Sequence, residues 1–252
     1  MEIAGTAALV TGAASGLGAA TAAELAGRGA SVYGLDLEKA IVAATPTEGV
    51  LLVPADVTDE AQVRTALARV EDDGQQLRLA VSCAGIGPSA RILSRRGPHD
   101  LELFHTVLKV NLLGTFNVLR LAAEAMSRLE PDAQGQRGVV VNTASIAAFE
   151  AQIGQIAYAA SKAGVAGMTV TAARDLAQYG IRVMSIAPGI VDTPMMAGVS
   201  AEVRAGLAAS VPFPRRLAEP AEFGRLVTMI AELDYLNGET IRMDGALRMA
   251  PR

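Results

Sequence analysis

Short aliphatic and β-branched runs alternate along this chain with longer, Ala-rich segments, the spacing of successive strand–helix–strand units. The apolar runs predict strands at Ala7–Thr11, Ser31–Leu35, Val50–Ala55, Leu79–Cys83, Val139–Ala144, Arg182–Ala187 and Glu239–Met243. Several are apolar throughout rather than alternating, as strands covered on both faces must be. Helical segments are expected near 16–28, 59–73, 105–129, 157–178 and 220–232. Thr58 is placed to cap the second of these, with Asp59 and Glu60 in the first turn, at the positive end of the helix dipole. The pattern predicts an α/β fold: a doubly wound, seven-stranded parallel sheet with helices on both faces. Irregular chain is expected at Gly85–Pro98, Pro131–Gly138 and Pro188–Pro220. The third is long and broken by prolines, and long loops in compact domains tend to carry function. No fixed-period repeat and no Pro- or Ser-rich linker divides the chain, so residues 1–252 are expected to form a single domain.

Composition changes this picture little but excludes several functions. The formal charge of −4, with 22 Lys and Arg dispersed along the chain, leaves no electrostatic footprint for nucleic acid. No uninterrupted run of 18 apolar residues occurs, and the opening MEIAGTAALVTG lacks a basic region followed by an apolar stretch. Neither a membrane anchor nor a secretory signal is therefore expected. Cys83 is the only cysteine, so no internal disulfide can form, and a reducing compartment, the cytoplasm, is the expected address.

The first candidate chemistry sits where the first strand ends, in Thr11-Gly-Ala-Ala-Ser-Gly-Leu-Gly18. A turn that brings backbone against a diphosphate needs residues without a Cβ, and the helix that follows offers free N–H groups. This G-x-x-x-G-x-G spacing differs from the commoner dinucleotide fingerprint, and alone it also fits a merely tight connection. Its place in the first strand–helix unit favours a dinucleotide. The second strand stops at Asp36, whose carboxylate can accept from both hydroxyls of an adenosine ribose and would repel a 2′-phosphate. With no basic residue in the glycine turn to offset that repulsion, NAD is expected rather than NADP; the plain alternative for Asp36 is a strand-terminal turn residue.

The second candidate is Tyr158-Ala-Ala-Ser-Lys162, where i, i+4 spacing puts Tyr158 and Lys162 on one helical face. Free tyrosine titrates near pH ~10, too high for a base at neutral pH. A nearby ammonium, and the positive nicotinamide of oxidised NAD, would favour the phenolate. Tyr158 could then take the hydroxyl proton of an alcohol during oxidation and return it during reduction. Ser145, at the end of the Val139–Ala144 strand, is placed to hold the substrate oxygen by a hydrogen bond. Tyr-x-x-x-Lys alone arises often by chance in helices; its combination with Ser145, the glycine turn and the element order is specific.

With these residues in view, nearly the whole chain resembles the short-chain dehydrogenase/reductase superfamily. Within it the chain resembles the type 2 3-hydroxyacyl-CoA dehydrogenases, which also oxidise hydroxysteroids. The likeness rests on Pro54-Ala-Asp-Val-Thr58, Ser82-Cys-Ala-Gly-Ile86, Asn142-Thr-Ala-Ser145, Ala147-Ala-Phe-Glu150, Val211-Pro-Phe-Pro214, Leu236-Asn-Gly-Glu239 and Met243-Asp-Gly-Ala246. It implies a Rossmann fold, NAD as cofactor, and a catalytic set of Asn111, Ser145, Tyr158 and Lys162. Lys162 would also bind the nicotinamide ribose, while Asn111 would hold a helix open and support a water-linked proton relay. The glycine-turn residues Gly12, Ser15, Gly16, Leu17 and Gly18, with Asp36, would take the diphosphate and ribose. Asp56 and Val57 match positions that contact the adenine. Cys83, Ala84 and Gly85 match a segment beside the cofactor, where the usual Asn-Ala-Gly is here Cys-Ala-Gly. Pro188, Gly189, Val191 and Thr193 match the segment that grips the nicotinamide carboxamide, and Gln152 matches a substrate-pocket position. A homotetramer, built partly by the carboxyl-terminal strand and tail, is the assembly the resemblance implies.

The activity expected is reversible oxidation of a 3-hydroxyacyl-CoA to the 3-oxoacyl-CoA. The same chemistry on a hydroxysteroid or another secondary alcohol is an alternative, and a dinucleotide-binding protein without turnover is a second. Arg91, Arg95 and Arg96 cluster where they could meet the phosphates of coenzyme A or simply form a solvated loop. Met195, Met196 and Val199 could line a pocket for apolar chains or pack a helix. His99 and His105 lack a third ligand at metal spacing, so no metal is expected, and Cys83 reads as a small packing residue.

Overall fold

The computed structural model describes residues 1–196 and 198–251; Ala197 and Arg252, which the irregular third segment and the domain range include, lie outside the described residues. Strands β1 (Ala7–Thr11), β2 (Ser31–Asp36), β3 (Val50–Pro54) and β4 (Leu77–Ser82) are followed by a short antiparallel hairpin, β5 (Leu93–Ser94) and β6 (Gly97–Pro98). Then come β7 (Gly138–Thr143), β8 (Ile181–Pro188) and β9 (Thr240–Met243). Seven of these strands form one parallel sheet in the order β3-β2-β1-β4-β7-β8-β9, the doubly wound Rossmann arrangement expected. The strand order reverses direction between β1 and β4, which opens a crevice at the carboxyl ends of those two strands.

The helices are α1 (Gly16–Gly27), α2 (Glu38–Val42), α3 (Glu60–Asp72), α4 (Leu101–Leu108), α5 (Thr115–Ser127), α6 (Ile156–Leu176), α7 (Ala201–Ser210) and α8 (Pro220–Glu232). One face of the sheet buries Leu9, Leu35, Ala80, Val140 and Val183 against α3 and α5. The other buries Val10, Val81, Val141 and Ile186 against α1 and α8, around Leu25, Phe223 and Ile230. Every residue of β1, β7 and β8 is buried, which is why these strands are mostly apolar rather than alternating, with Asn142, Thr143, Arg182 and Ser185 among the buried polar exceptions. Each such aliphatic side chain removed from water contributes roughly 1.5–3 kcal/mol.

Several details depart from expectation, among them the β5–β6 hairpin within Gly85–Pro98 and the short α2. Asp59, not Thr58, caps α3: its carboxylate accepts from Ala61 N at 2.9 Å and Gln62 N at 3.2 Å. Thr58 is already engaged one step earlier, where its own N–H donates to the Asp56 carboxylate at 2.8 Å. The helix expected at 105–129 begins at Leu101, with Asp100 as cap, and runs through a π-helical turn at Lys109–Gly114 into α5. Within Pro188–Pro220, expected to be irregular, lies α7, started by the Ser200 hydroxyl accepting from Val203 N.

A buried charge ties the sheet to α8. Arg182 donates to the carbonyls of Ile230, Ala231 and Leu236 at 2.8–2.9 Å and to Gln136 Oε1 at 2.9 Å. It therefore satisfies carbonyls that the end of α8 leaves without helical partners. No described helix is long and apolar enough to cross a membrane.

Candidate active site

The expected cofactor residues gather at the carboxyl ends of β1, β2, β4 and β8. Gly12, at φ +67°, and Gly18 make the turn possible: a Cβ on Gly12 would stand 2.9 Å from Ala84 N, and one on Gly18 would stand 2.1 Å from Gly12 O. Gly16 faces the other wall of the crevice, where Thr193 Cβ lies 3.5 Å from the position its own Cβ would take. Ser15 precedes the first turn of α1 in an extended conformation, and Leu17 is half-buried behind it. Asp36 braces this turn from the end of β2: one carboxylate oxygen accepts from Ala14 N at 3.0 Å and the other from Leu37 N at 2.8 Å. The turn is thus a backbone cradle with a half-buried carboxylate at its rim, and the residues present fit a dinucleotide.

The rest of the crevice is held by hydrogen bonds to backbone. The Thr11 hydroxyl accepts from Cys83 N and Ala84 N, both at 3.1 Å, which clamps β1 to the segment leaving β4. Asp56 closes its own turn onto Thr58 N, and buried Val57 packs against Gly114, its carbonyl accepting from Asn117 Nδ2 at 2.9 Å. Across the crevice, Gly189 N donates to Met243 O at 2.9 Å and Gly189 packs against the Asp244 backbone. Pro188 and Val191 are buried beside it, and Val191 bridges to Ala218.

The candidate catalytic residues converge beside β7. Ser145 follows that strand and is buried, its hydroxyl accepting from Ala147 N at 3.1 Å. Lys162 is buried on α6, and its Nζ donates to Thr143 O at 2.7 Å and stands 5.8 Å from the centre of the Tyr158 ring. Asn111 sits in the π-helical turn. Its Oδ1 accepts from Ile86 N at 2.8 Å, and its Nδ2 donates to Ile86 O at 2.9 Å and to Ser161 Oγ at 3.1 Å. Asn111 thus joins the helical run that widens there to the segment after β4 and to α6. Gly85 lies between Asn111 and Lys162, where a Cβ would stand 3.2 Å from Asn111 Oδ1 and 3.7 Å from Lys162 Nζ.

Burial dominates the electrostatics. It raises the Tyr158 phenol above its ordinary value, with the Ser145 hydroxyl pulling the other way. It lowers Lys162 to about 8 and pushes the Cys83 thiol up to about 11, the latter against an opposing bond from Thr143. A phenol lowered by the neighbouring ammonium was expected; the Lys162 ammonium is instead turned toward the Thr143 carbonyl, and loss of water sets the direction for Tyr158, with the Ser145 hydroxyl opposing it. Thr143 and Thr11 had no signal of their own, because one acts through its carbonyl and the other reads as an ordinary strand residue.

Beyond Tyr158 the chain passes close at Gly87, where a Cβ would stand 3.4 Å from Met195 Sδ and 3.8 Å from the Tyr158 ring. Met195 is exposed, and Met196 and Val199 are half-buried behind it. Gln152 is half-buried in the segment between Ser145 and α6, its N–H donating to Gln155 Oε1 at 3.2 Å. Arg91, Arg95 and Arg96 are all exposed around the β5–β6 hairpin. His99 Nδ1 lies 2.7 Å from Asp100 O and His105 lies 3.7 Å from Glu102, both away from the crevice residues.

Residues 6–204 match the short chain dehydrogenase family. The chain belongs to that family. It is 51% identical to the human 3-hydroxyacyl-CoA dehydrogenase type-2 over 99% of this chain and 98% of that protein. The Drosophila melanogaster protein of the same name is 52% identical over 96% and 97% of the two chains. The crystal structure of 3-hydroxyacyl-CoA dehydrogenase type-2 from Mycobacterium avium superposes with a TM-score of 0.91 at 42% identity, covering 98% of each chain. The protein is therefore an oxidoreductase of the short-chain dehydrogenase type, working with a nicotinamide dinucleotide on a small molecule.

Proposed function

We propose that this dehydrogenase interconverts a 3-hydroxyacyl-CoA and the corresponding 3-oxoacyl-CoA, with NAD as the partner, and that residues 1–252 act as a single dinucleotide-binding domain. The observation that carries the reading is the convergence of Ser145, Tyr158 and Lys162 at the carboxyl end of β7, on the wall opposite the glycine turn. The names of the relatives support the substrate class, and Asp36 at the rim supports NAD over its 2′-phosphorylated form.

Gly12, Ser15, Gly16, Leu17 and Gly18 would hold the diphosphate, Asp36 the adenosine ribose, and Asp56 and Val57 the adenine. Cys83, Ala84 and Gly85 would line the cofactor's path, and Pro188, Gly189, Val191 and Thr193 its nicotinamide end. The bound nicotinamide supplies the carbon that accepts or gives the hydride. Ser145 donates to the substrate oxygen and keeps it within reach of Tyr158, which takes the hydroxyl proton as the carbinol C–H bond breaks. Lys162 holds positive charge next to the phenol, and Asn111 keeps the widened turn in place behind it. Gln152 and Met195 would border the acyl chain, and Arg91, Arg95 and Arg96, exposed around the β5–β6 hairpin, would meet the phosphates of coenzyme A.

A homotetramer is the assembly proposed. It is supported by the open edge of β9 and by the exposed apolar side chains Leu113 and Phe116 on the outer side of the α4–α5 run. The cytoplasm is the proposed compartment, on the strength of a single thiol. The reading is tested by following NADH absorbance with 3-hydroxybutyryl-CoA, longer 3-hydroxyacyl-CoAs and a 17β-hydroxysteroid. Turnover on the CoA esters is expected, with a loss of about a thousandfold or more in Tyr158→Phe. Turnover on the steroid alone would replace the substrate, and a fully active Tyr158→Phe would remove the mechanism.

A further inference from the structure

The segment from Ile146 to Gln155 joins Ser145 to the helix that carries Tyr158, so its placement sets one hydroxyl relative to the other. It is anchored on two sides. On the first, the Gly154 carbonyl accepts from Ala90 N at 2.8 Å and from the Ser89 hydroxyl at 3.3 Å. On the second, every anchor comes from the end of the chain. Arg242, in β9, meets both oxygens of Glu150, through NH1 at 3.1 Å and through a short contact from NH2. Its Nε donates to Asp244 at 2.7 Å, its NH2 reaches Leu247 O at 3.2 Å, and the guanidinium lies 5.2 Å from the Phe149 ring centre. Ile153 N donates to Pro251 O at 3.0 Å, and buried Leu247 packs with Ile146 and Val211.

The side chain of Asp244 is 7% exposed, while those of Arg242 and Glu150 keep 23% and 28%. A planar fork shared between two carboxylates and a carbonyl is geometry that only arginine supplies. Without it, Glu150 and Asp244 would face each other, and among the described residues exposed Arg248, 3.1 Å from Asp244, would be left to offset them. The cofactor side meets this network through backbone: Gly189 N donates to Met243 O at 2.9 Å and Gly189 packs against the Asp244 backbone, and neither contact uses the Arg242 or Glu150 side chain.

We infer that Arg242 is a positioning residue for the reaction: through Glu150 and the 247–251 tail it holds the substrate wall in register with Ser145 and Tyr158. This rests on reading Ser145 and Tyr158 as the groups that hold the substrate oxygen. The consequence is a split between substrates, since loosening the wall weakens the acyl substrate and spares the dinucleotide.

The test uses the full chain with Arg242→Ala, Arg242→Lys and Glu150→Gln, alongside Tyr158→Phe. KM and kcat are measured with a 3-oxoacyl-CoA, NADH affinity by fluorescence, and stability by thermal melting. Arg242→Ala and Glu150→Gln are expected to raise the acyl KM on the order of tenfold, with a smaller fall in kcat and NADH affinity within about twofold. Arg242→Lys should fall between them and the parent, because it restores charge without the fork. If Arg242→Ala does not fold, Glu150→Gln decides by the same readout. An unchanged acyl KM, whatever happens to the melting temperature, overturns the role of Arg242 and leaves the catalytic reading standing. An active Tyr158→Phe overturns both.

Discussion

The two walls of the crevice are built by different means. The glycine-turn wall is backbone: Gly12 and Gly18 let chain pass against chain, and the one charge at its rim, Asp36, accepts from main-chain N–H groups. The wall beside β7 is side chain: Lys162 and Tyr158 from α6, Asn111 from the π-helical turn and Ser145 from the end of β7 are brought from three places and largely removed from water. A backbone cradle leaves its N–H groups free for a diphosphate at little desolvation cost, so it can be permanent and unstrained. A buried ammonium beside a half-buried phenol costs stability that chemistry can justify, so the second wall exchanges stability for reactivity.

In cofactor binding and stability, the largest effect is expected from attacking the backbone wall. Gly18→Ala places a methyl 2.1 Å from Gly12 O, where nothing but backbone could move. The turn must open, and NADH binding should fall by about a hundredfold or more, together with a loss of roughly 2–4 kcal/mol in stability. Titrating NADH fluorescence and melting in urea would check both. A variant that binds NADH normally would mean that the turn is a tight connection and the dinucleotide sits elsewhere.

Asp36→Ala sharpens the comparison with a smaller effect. It removes the carboxylate proposed to face a 2′-substituent, while Ala14 N and Leu37 N are at the surface side of the turn and can turn to water. The kcat/KM ratio of NAD to NADP should fall by roughly ten- to a hundredfold. An unchanged ratio would assign Asp36 to bracing alone.

How legible each wall was in the sequence follows from the same difference. The glycine turn and its flanking strands are local, and β1, α1 and β2 fall within a residue of their expected limits because apolar runs and glycines sit side by side. The five-residue α2 is too short for periodicity to show, and α7 is Ala-rich with no buried face to mark it. On the other wall, residue types were readable from Tyr158-x-x-x-Lys162 and Ser145, but their environment was not. That the Lys162 ammonium turns to the Thr143 carbonyl, or that Arg242 reaches Glu150 across 92 residues, depends on how β7, α6 and β9 pack. Desolvation is likewise a property of the assembled core, so the direction of the Tyr158 shift could not be read from spacing.

The smallest effect tests whether the side-chain wall does exchange stability for function. Lys162 has its pKa lowered from 10.5 to about 8 by burial. Below about pH 8 both folded and unfolded chains carry the proton, and the folded state bears the full cost of a dry ammonium, on the order of 3 kcal/mol. Between pH 8 and 10.5 the folded chain binds fewer protons than the unfolded one, so this group's contribution makes stability rise with pH across that window. Lys162→Met removes the charge and also the bond to Thr143 O, which offsets about 1 kcal/mol of the gain. The variant should therefore be inactive yet about 1–2 kcal/mol more stable at pH 7, with a flatter dependence on pH from 8 to 10. Urea melts of both proteins at pH 7 and pH 9.5 would measure this. A variant destabilised at both would show that the Nζ–carbonyl bond outweighs the cost of the buried charge, and the contrast between the walls would then be one of construction only.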